Sequence, residues 1–183
     1  MDRRIFLASS FASPLLPRAR SHGEESAPHE AGIFVPAGQG RDKEVLKLAG
    51  IIPMEIKVST KDTGGNVFVF EHRDMPRGGP HRHVHFEQDE WFYILKGEFV
   101  FEVGDGKYRL KPGDSVFAPR KVPHVWACVS DTGTLLAEAS PAGTLETFLR
   151  DLAELDKPPT DEEAARAYAA HGMKLLGPPL KLE

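Results

Sequence analysis

The sequence predicts an all-β domain, a barrel or sandwich of short strands, with two C-terminal helices packed outside it. Three observations carry this reading. Between about residues 33 and 140, short β-rich runs alternate with turn clusters. Gly and Pro are plentiful, at 17 and 15, as many tight turns require. Beyond residue 143 the spacing of apolar residues changes to that of an amphipathic helix.

The expected strands, in order, are Val45–Leu48, Met54–Ser59, Asn66–Glu71, Trp91–Leu95, Phe99–Val103, Tyr108–Leu110, Ser115–Ala118, His124–Val129 and Thr134–Ala139. Breakers separate them: Thr63-Gly64-Gly65, Arg77-Gly78-Gly79-Pro80, Lys96-Gly97, Gly104-Asp105-Gly106, Pro112-Gly113-Asp114, Lys121-Val122-Pro123 and Asp131-Thr132-Gly133. Asp105-Gly106 between two alternating runs is a strong hairpin signal. A first helix is expected where Leu145, Phe148, Leu149, Leu152 and Leu155 follow helical spacing, opened by Gly143-Thr144 and ended by Pro158-Pro159. Thr160-Asp161-Glu162-Glu163 is a capping box for a second helix. That helix carries Ala164, Ala167 and Tyr168 on one face and has Gly172 as its C-cap. Neither helix shows a chemistry-bearing pattern; His171 falls where a cationic side chain suits the helix dipole. The β domain is thus expected over 33–142 and the helical extension over 143–183.

The N-terminal end reads differently. Arg3-Arg4-Ile5-Phe6-Leu7, ahead of a modest apolar stretch broken by Ser9, Ser10, Ser13 and Pro14, resembles a twin-arginine export signal over residues 1–21. Residues 22–32 are small and polar and read as a linker. This predicts an exported, periplasmic protein; the alternative is a cytoplasmic one with an unstructured tail.

Composition excludes several classes. At 183 residues and 20.2 kDa the chain suffices for one domain with a real core. The net charge is -4, from 23 Lys+Arg against 27 Asp+Glu, and no basic run offers a nucleic-acid groove. No stretch of eighteen apolar residues predicts a membrane-spanning helix. Cys128 is the sole cysteine, which rules out an internal disulfide and a cysteine-built zinc site.

The chemistry concentrates in His81-Arg82-His83-Val84-His85-Phe86-Glu87-Gln88-Asp89-Glu90. Residues two apart on a strand face one side, so His83 and His85 present two imidazoles together, and His81 has the parity to continue the row. A turn at Phe86–Asp89 would return Glu90 beside them. His124 supplies a third imidazole at the head of a later strand. Three imidazoles and a carboxylate are the donor set of a divalent transition metal, with coordination positions left open. Glu87 and Asp89 read as solvated turn residues. His81 reads as pocket rim or structural. Phe92 and Ile94, which share Glu90's face, and Trp126 and Cys128, which share His124's, are the pocket candidates; Cys128 reads as a buried apolar filler. His22, His29 and His72 fit no ligand spacing and read as surface residues.

These residues resemble the two motifs of the cupin superfamily, small jelly-roll β-barrels. The first is His83-x-His85, four residues, Glu90, six residues, Gly97. The second is Gly113, five residues, Pro119, four residues, His124. The resemblance spans roughly 33–140 and implies His83, His85, Glu90 and His124 as metal ligands. Three departures stand out: the opening glycine is displaced to Gly78 or Gly79, the glycine of the second motif is Lys121, and its asparagine position is Cys128.

The chain also resembles quercetin 2,3-dioxygenase-like single-domain cupins, through Gly79-Pro80-His81-Arg82-His83, through Asp89-Glu90-x-Phe92-Tyr93, and through the tail Gly172-Met173-Lys174-Leu175-Leu176-Gly177-Pro178-Pro179-Leu180. That resemblance implies a metal-dependent dioxygenase acting on an enolic or phenolic small molecule, with dioxygen as co-substrate and Glu90 as general base. Two alternatives stay open. One is a non-oxidative reaction, isomerisation or decarboxylation, at the same site; the other is a non-catalytic small-molecule or metal-binding module. The donor set suits Fe, Mn, Ni, Co, Cu or Zn without choosing among them. Cupins often pair through exposed edge strands, so a homodimer is expected.

Overall fold

The structure is a computed structural model and describes residues 31–182. The export segment expected over 1–21, with His22, His29 and the rest of the linker up to residue 30, lies outside the described residues.

Among the described residues, ten strands and two α-helices follow one another: β1 (Leu46–Leu48), β2 (Ile52–Val58), β3 (Phe68–Gly78), β4 (Arg82–His85), β5 (Asp89–Lys96), β6 (Phe99–Val103), β7 (Gly106–Leu110), β8 (Ser115–Ala118), β9 (His124–Ser140), α1 (Leu145–Ala153), α2 (Asp161–Ala170) and β10 (Met173–Gly177). All pairings are antiparallel. β9 organises the barrel. Its first half pairs with β6 and touches β4, while its second half lies between β3 and β5. One strand therefore belongs to both walls, β1-β2-β3-β9-β5-β8 on one side and β7-β6-β9-β4-β10 on the other.

The sequence placed two strands and a breaker where β9 runs unbroken for 17 residues. Gly133 explains the difference. A Cβ there would lie 2.6 Å from the Phe99 ring and 2.8 Å from Cys128 Sγ. Glycine serves here to let a bending strand pass close to its neighbours, not to turn the chain. The strand read as ending at Glu71 likewise continues to Gly78 through two register shifts against β9, with Asp74 at φ 47.

Inward parity builds the core. Phe92, Phe99, Phe101 and Trp126 form an aromatic cluster, with Phe92–Phe101 centroids 5.1 Å apart and Phe101–Trp126 centroids 5.9 Å apart. Each fully buried ring of this kind contributes about 1.5–3 kcal/mol of transfer free energy.

The helices pack outside the barrel, across one end of it. Thr160 and Glu163 form the reciprocal capping box at the start of α2. α1 buries Leu145, Phe148 and Leu149 toward the barrel; Leu155 falls beyond its end and is exposed. Glu146 fastens α1 to the turn at Thr60–Asp62, accepting from Ser59 Oγ at 2.9 Å, Thr60 N at 2.7 Å and Thr60 Oγ1 at 2.7 Å. After α2 the chain returns as β10 and pairs with β4, the strand that carries His83 and His85. Helix periodicity gave no sign of that closing strand.

Candidate metal centre

β4 presents His83 and His85 to the barrel interior, the turn after it brings Glu90 to the start of β5, and His124 opens β9 directly opposite His83 in the β4–β9 register. All four side chains are buried, and their donor atoms lie within 4.8 Å of one another. His83 Nε2 and His85 Nε2 are 3.1 Å apart. Glu90 Oε2 is 3.2 Å from His85 Nε2 and 2.9 Å from His124 Nε2.

The outer nitrogens determine what the inner ones can do. His83 Nδ1 meets the His81 carbonyl at 2.7 Å, His85 Nδ1 meets Gln88 Oε1 at 3.2 Å, and His124 Nδ1 meets the Val122 carbonyl at 3.3 Å. Carbonyl oxygens only accept, so each Nδ1 carries the proton and donates it. Each ring, when neutral, then points an Nε2 lone pair at the same small volume. His124 Nε2, although near Glu90, is misaligned for a hydrogen bond and is buried without one. Converging lone pairs beside a carboxylate repel one another; a divalent cation satisfies all four donors. The residues present therefore fit a metal of the kind that the sequence anticipated.

Without a cation, the four groups shift one another's charge. Burial, joined by the positive fields of His124 and His85, pushes His83 down to about 3. Burial also opposes charge on His85, but the Glu90 carboxylate outweighs it and holds that ring above its ordinary value. Glu90 is itself opposed by burial, yet the facing His85 and His124 rings keep it well below the usual carboxylate range. Glu90 is thus held as a carboxylate beside the three rings.

The cluster opens into a cavity of about 350 Å³, within the usual size range of small-molecule sites. His81, Phe92 and Trp126 line it. Ile94 and Cys128 have the expected inward parity but stand in the aromatic core away from the cavity, because their strands carry them deeper into the barrel. Glu87 is exposed. Asp89 is not simply solvated: it accepts from Arg120 N at 2.7 Å and Arg120 Nη2 at 2.6 Å, and so clamps the loop that leads to His124.

Three residues at the site escaped the sequence reading. His72, expected at the surface, is buried and lines the cavity. Its strand parity with Phe68 and Phe70 was the available signal. Gln88, read as part of a turn, orients His85. Tyr168, read as the apolar face of an outer helix, reaches the cavity from α2, with its ring 5.1 Å from that of His83.

Residues 70–137 match the family model described as the cupin domain. Among solved structures, KdgF from Halomonas sp. superposes with a TM-score of 0.51 at 21% identity, covering 61% of this chain and 94% of that one. An RmlC-like cupin from Shewanella frigidimarina gives 0.50 at 23% identity, covering 61% and 93%. Likeness at these identities speaks for the fold. An uncharacterized protein of Methanocaldococcus jannaschii is 36% identical over 42 residues, which span 23% of this chain and about a third (34%) of that relative. The matched segment, residues 70–137, contains the four residues gathered at the buried cluster.

Proposed function

We propose that the protein is a metal-dependent cupin dioxygenase acting on an enolic or phenolic small molecule, with His83, His85, Glu90 and His124 as the metal ligands. The observation that carries this reading is the shared tautomer of the three rings. All three donate Nδ1 outward and aim Nε2 inward, beside one carboxylate, at the edge of an apolar cavity. A bound divalent metal would act as a Lewis acid toward a substrate oxygen.

The chain's own groups do the rest. Phe70, Phe92 and Trp126 offer aromatic walls against which a flat substrate lies, and Phe148 and Tyr168 reach in from the helices to exclude water. Glu90 is the only carboxylate lining the cavity among the described residues, and in this reading it takes the substrate's hydroxyl proton. The apolar lining also suits dioxygen, which has no need of hydrogen-bond partners.

The test is metal content by elemental analysis together with oxygen uptake over a flavonol panel. Uptake should accompany loss of the flavonol and should fall at least a hundredfold in Glu90→Gln. Product formed at full rate under strict anaerobiosis would replace this reading with isomerisation or decarboxylation. Export by a twin-arginine route belongs to the same proposal. It predicts that the Arg3→Lys, Arg4→Lys double variant accumulates inside the cell, which fractionation would show.

A further inference from the structure

The ligand cluster and Glu90's proposed role leave one buried titratable group in the cavity without a task. His72 points inward from β3, 3% exposed, with Phe70 at 5.3 Å and Trp126 at 5.9 Å between ring centroids. It is not one of the four clustered donors. Its Nδ1 lies 2.9 Å from the Pro53 carbonyl oxygen. That oxygen can only accept, so Nδ1 holds the proton. Burial keeps the ring neutral, pushing it down to about 4 in spite of the Pro53 bond and the Glu90 charge. A neutral ring protonated at Nδ1 carries a lone pair at Nε2, and the one hydrogen bond of the His72 side chain found among the described residues is the Nδ1 contact to Pro53.

An acceptor on a cavity wall, with no protein donor of its own, discriminates between ligands. A site that offers such an atom rejects ligands that cannot hydrogen-bond to it. The path from His72 to the cluster is aromatic. Trp126 stands 6.1 Å from Phe92, and Phe92 stands 6.4 Å from His124, centroid to centroid. The cavity therefore has two polar stations along an apolar wall.

We propose that His72 is a substrate-binding residue whose Nε2 accepts a hydrogen bond from a hydroxyl on a flat, largely apolar ligand, while another oxygen of that ligand sits at the His83, His85, Glu90 and His124 cluster. The second half of this statement rests on the metal-site reading above. The first half rests on His72 alone, and it defines the substrate class more narrowly, as an aromatic compound with at least two oxygens set apart by its ring system.

The experiment uses zinc-loaded full-length protein without oxygen, and two probes of one shape, 2,6-dihydroxynaphthalene and 6-methyl-2-naphthol. Binding is read by calorimetry and by quenching of tryptophan fluorescence. The wild type should bind the diol about five- to tenfold more tightly, the worth of one neutral hydrogen bond. His72→Phe should bind the two probes alike, with zinc content unchanged. His72→Gln, whose side-chain carbonyl is again an acceptor, should keep part of the preference. Equal affinities in the wild type, a preference that survives in His72→Phe, or failure of both probes to bind would overturn the proposal. Should His72→Phe not fold, the wild-type comparison and His72→Gln decide. Oxygen uptake plays no part in this assay, so a protein that shows the preference yet consumes no oxygen overturns the dioxygenase reading and leaves this one standing.

Discussion

The side-chain carbonyl of Gln88 accepts the Nδ1 proton of His85 at 3.2 Å, in a buried position behind the candidate metal centre. That bond fixes the ring's tautomer and its angle. The Gln88 side chain packs closely against Gly143, the residue just before α1's N-cap. A Cβ at Gly143 would lie 2.0 Å from Gln88 Nε2, and its φ of 52 already favours glycine. Gln88→Leu should therefore lower metal affinity about 10- to 100-fold, as loss of such an orienting partner does, and Gly143→Ala should do the same by displacing Gln88. Competition titration against a chelator measures it. Wild-type affinity in both variants would show that Gln88 only fills space.

Metal removal should destabilise the fold measurably. The four donors join β4, β5 and β9, so a cation that binds them binds only the folded chain. At a hundredfold excess over its dissociation constant, such a ligand adds about 2.7 kcal/mol, which for a domain of this size is roughly 5–10 °C in Tm. Calorimetry before and after chelation checks this. His124→Ala should abolish the difference, since it removes one donor of the set.

Lys121 occupies the place of a motif glycine and still adopts the glycine conformation, with φ 67. Its backbone N–H donates to the His85 carbonyl at 2.7 Å, so the strained turn is tied to a ligand strand. A non-glycine residue in this region costs about 1–2 kcal/mol, and the greater freedom of glycine in the unfolded chain takes back part of that. Lys121→Gly should thus raise stability by up to about 1 kcal/mol and leave metal affinity unchanged. Urea unfolding decides it; a loss of stability would mean that the lysine side chain contributes more than the strain costs.

These cases also show what could be read from the sequence and what could not. His83, His85 and Glu90 were legible because strand alternation and a short turn relate them locally, and His124 because a motif spacing supplied the distant partner. Gln88 was not, since its role depends on Gly143, which comes near only after the barrel closes. His72 fits no ligand spacing, and only the strand parity it shares with Phe68 and Phe70 marks it as inward-facing. Gly133 mimicked a turn because a glycine needed for close packing and one needed for reversal look alike in a sequence. Both helices are legible in their apolar spacing, but amphipathicity does not reveal whether the apolar face covers a core or a cavity, and so gives no sign of Tyr168 at the site.

Glu146 makes the stability of the helical cover depend on pH. Burial opposes its charge, but bonds from Thr60 and Ser59 and the guanidinium of Arg150, at 3.0 Å, prevail and hold its pKa below the ordinary carboxylate value. The sign follows directly. In the unfolded chain the carboxylate takes up a proton near pH 4.3, and in the folded one only at lower pH. Its contribution is therefore complete above the unfolded value and is lost as pH falls through the folded one. Glu146→Gln should cost on the order of 2 kcal/mol at pH 7, the scale of a hydrogen bond to a charged group, and should flatten the loss of stability below about pH 4.3. Urea unfolding of both proteins from pH 7 to pH 3 is the measurement. Parallel curves for the two would remove Glu146 as the source of acid sensitivity, and the anchoring of α1 would then rest on Leu145, Phe148 and Leu149 alone.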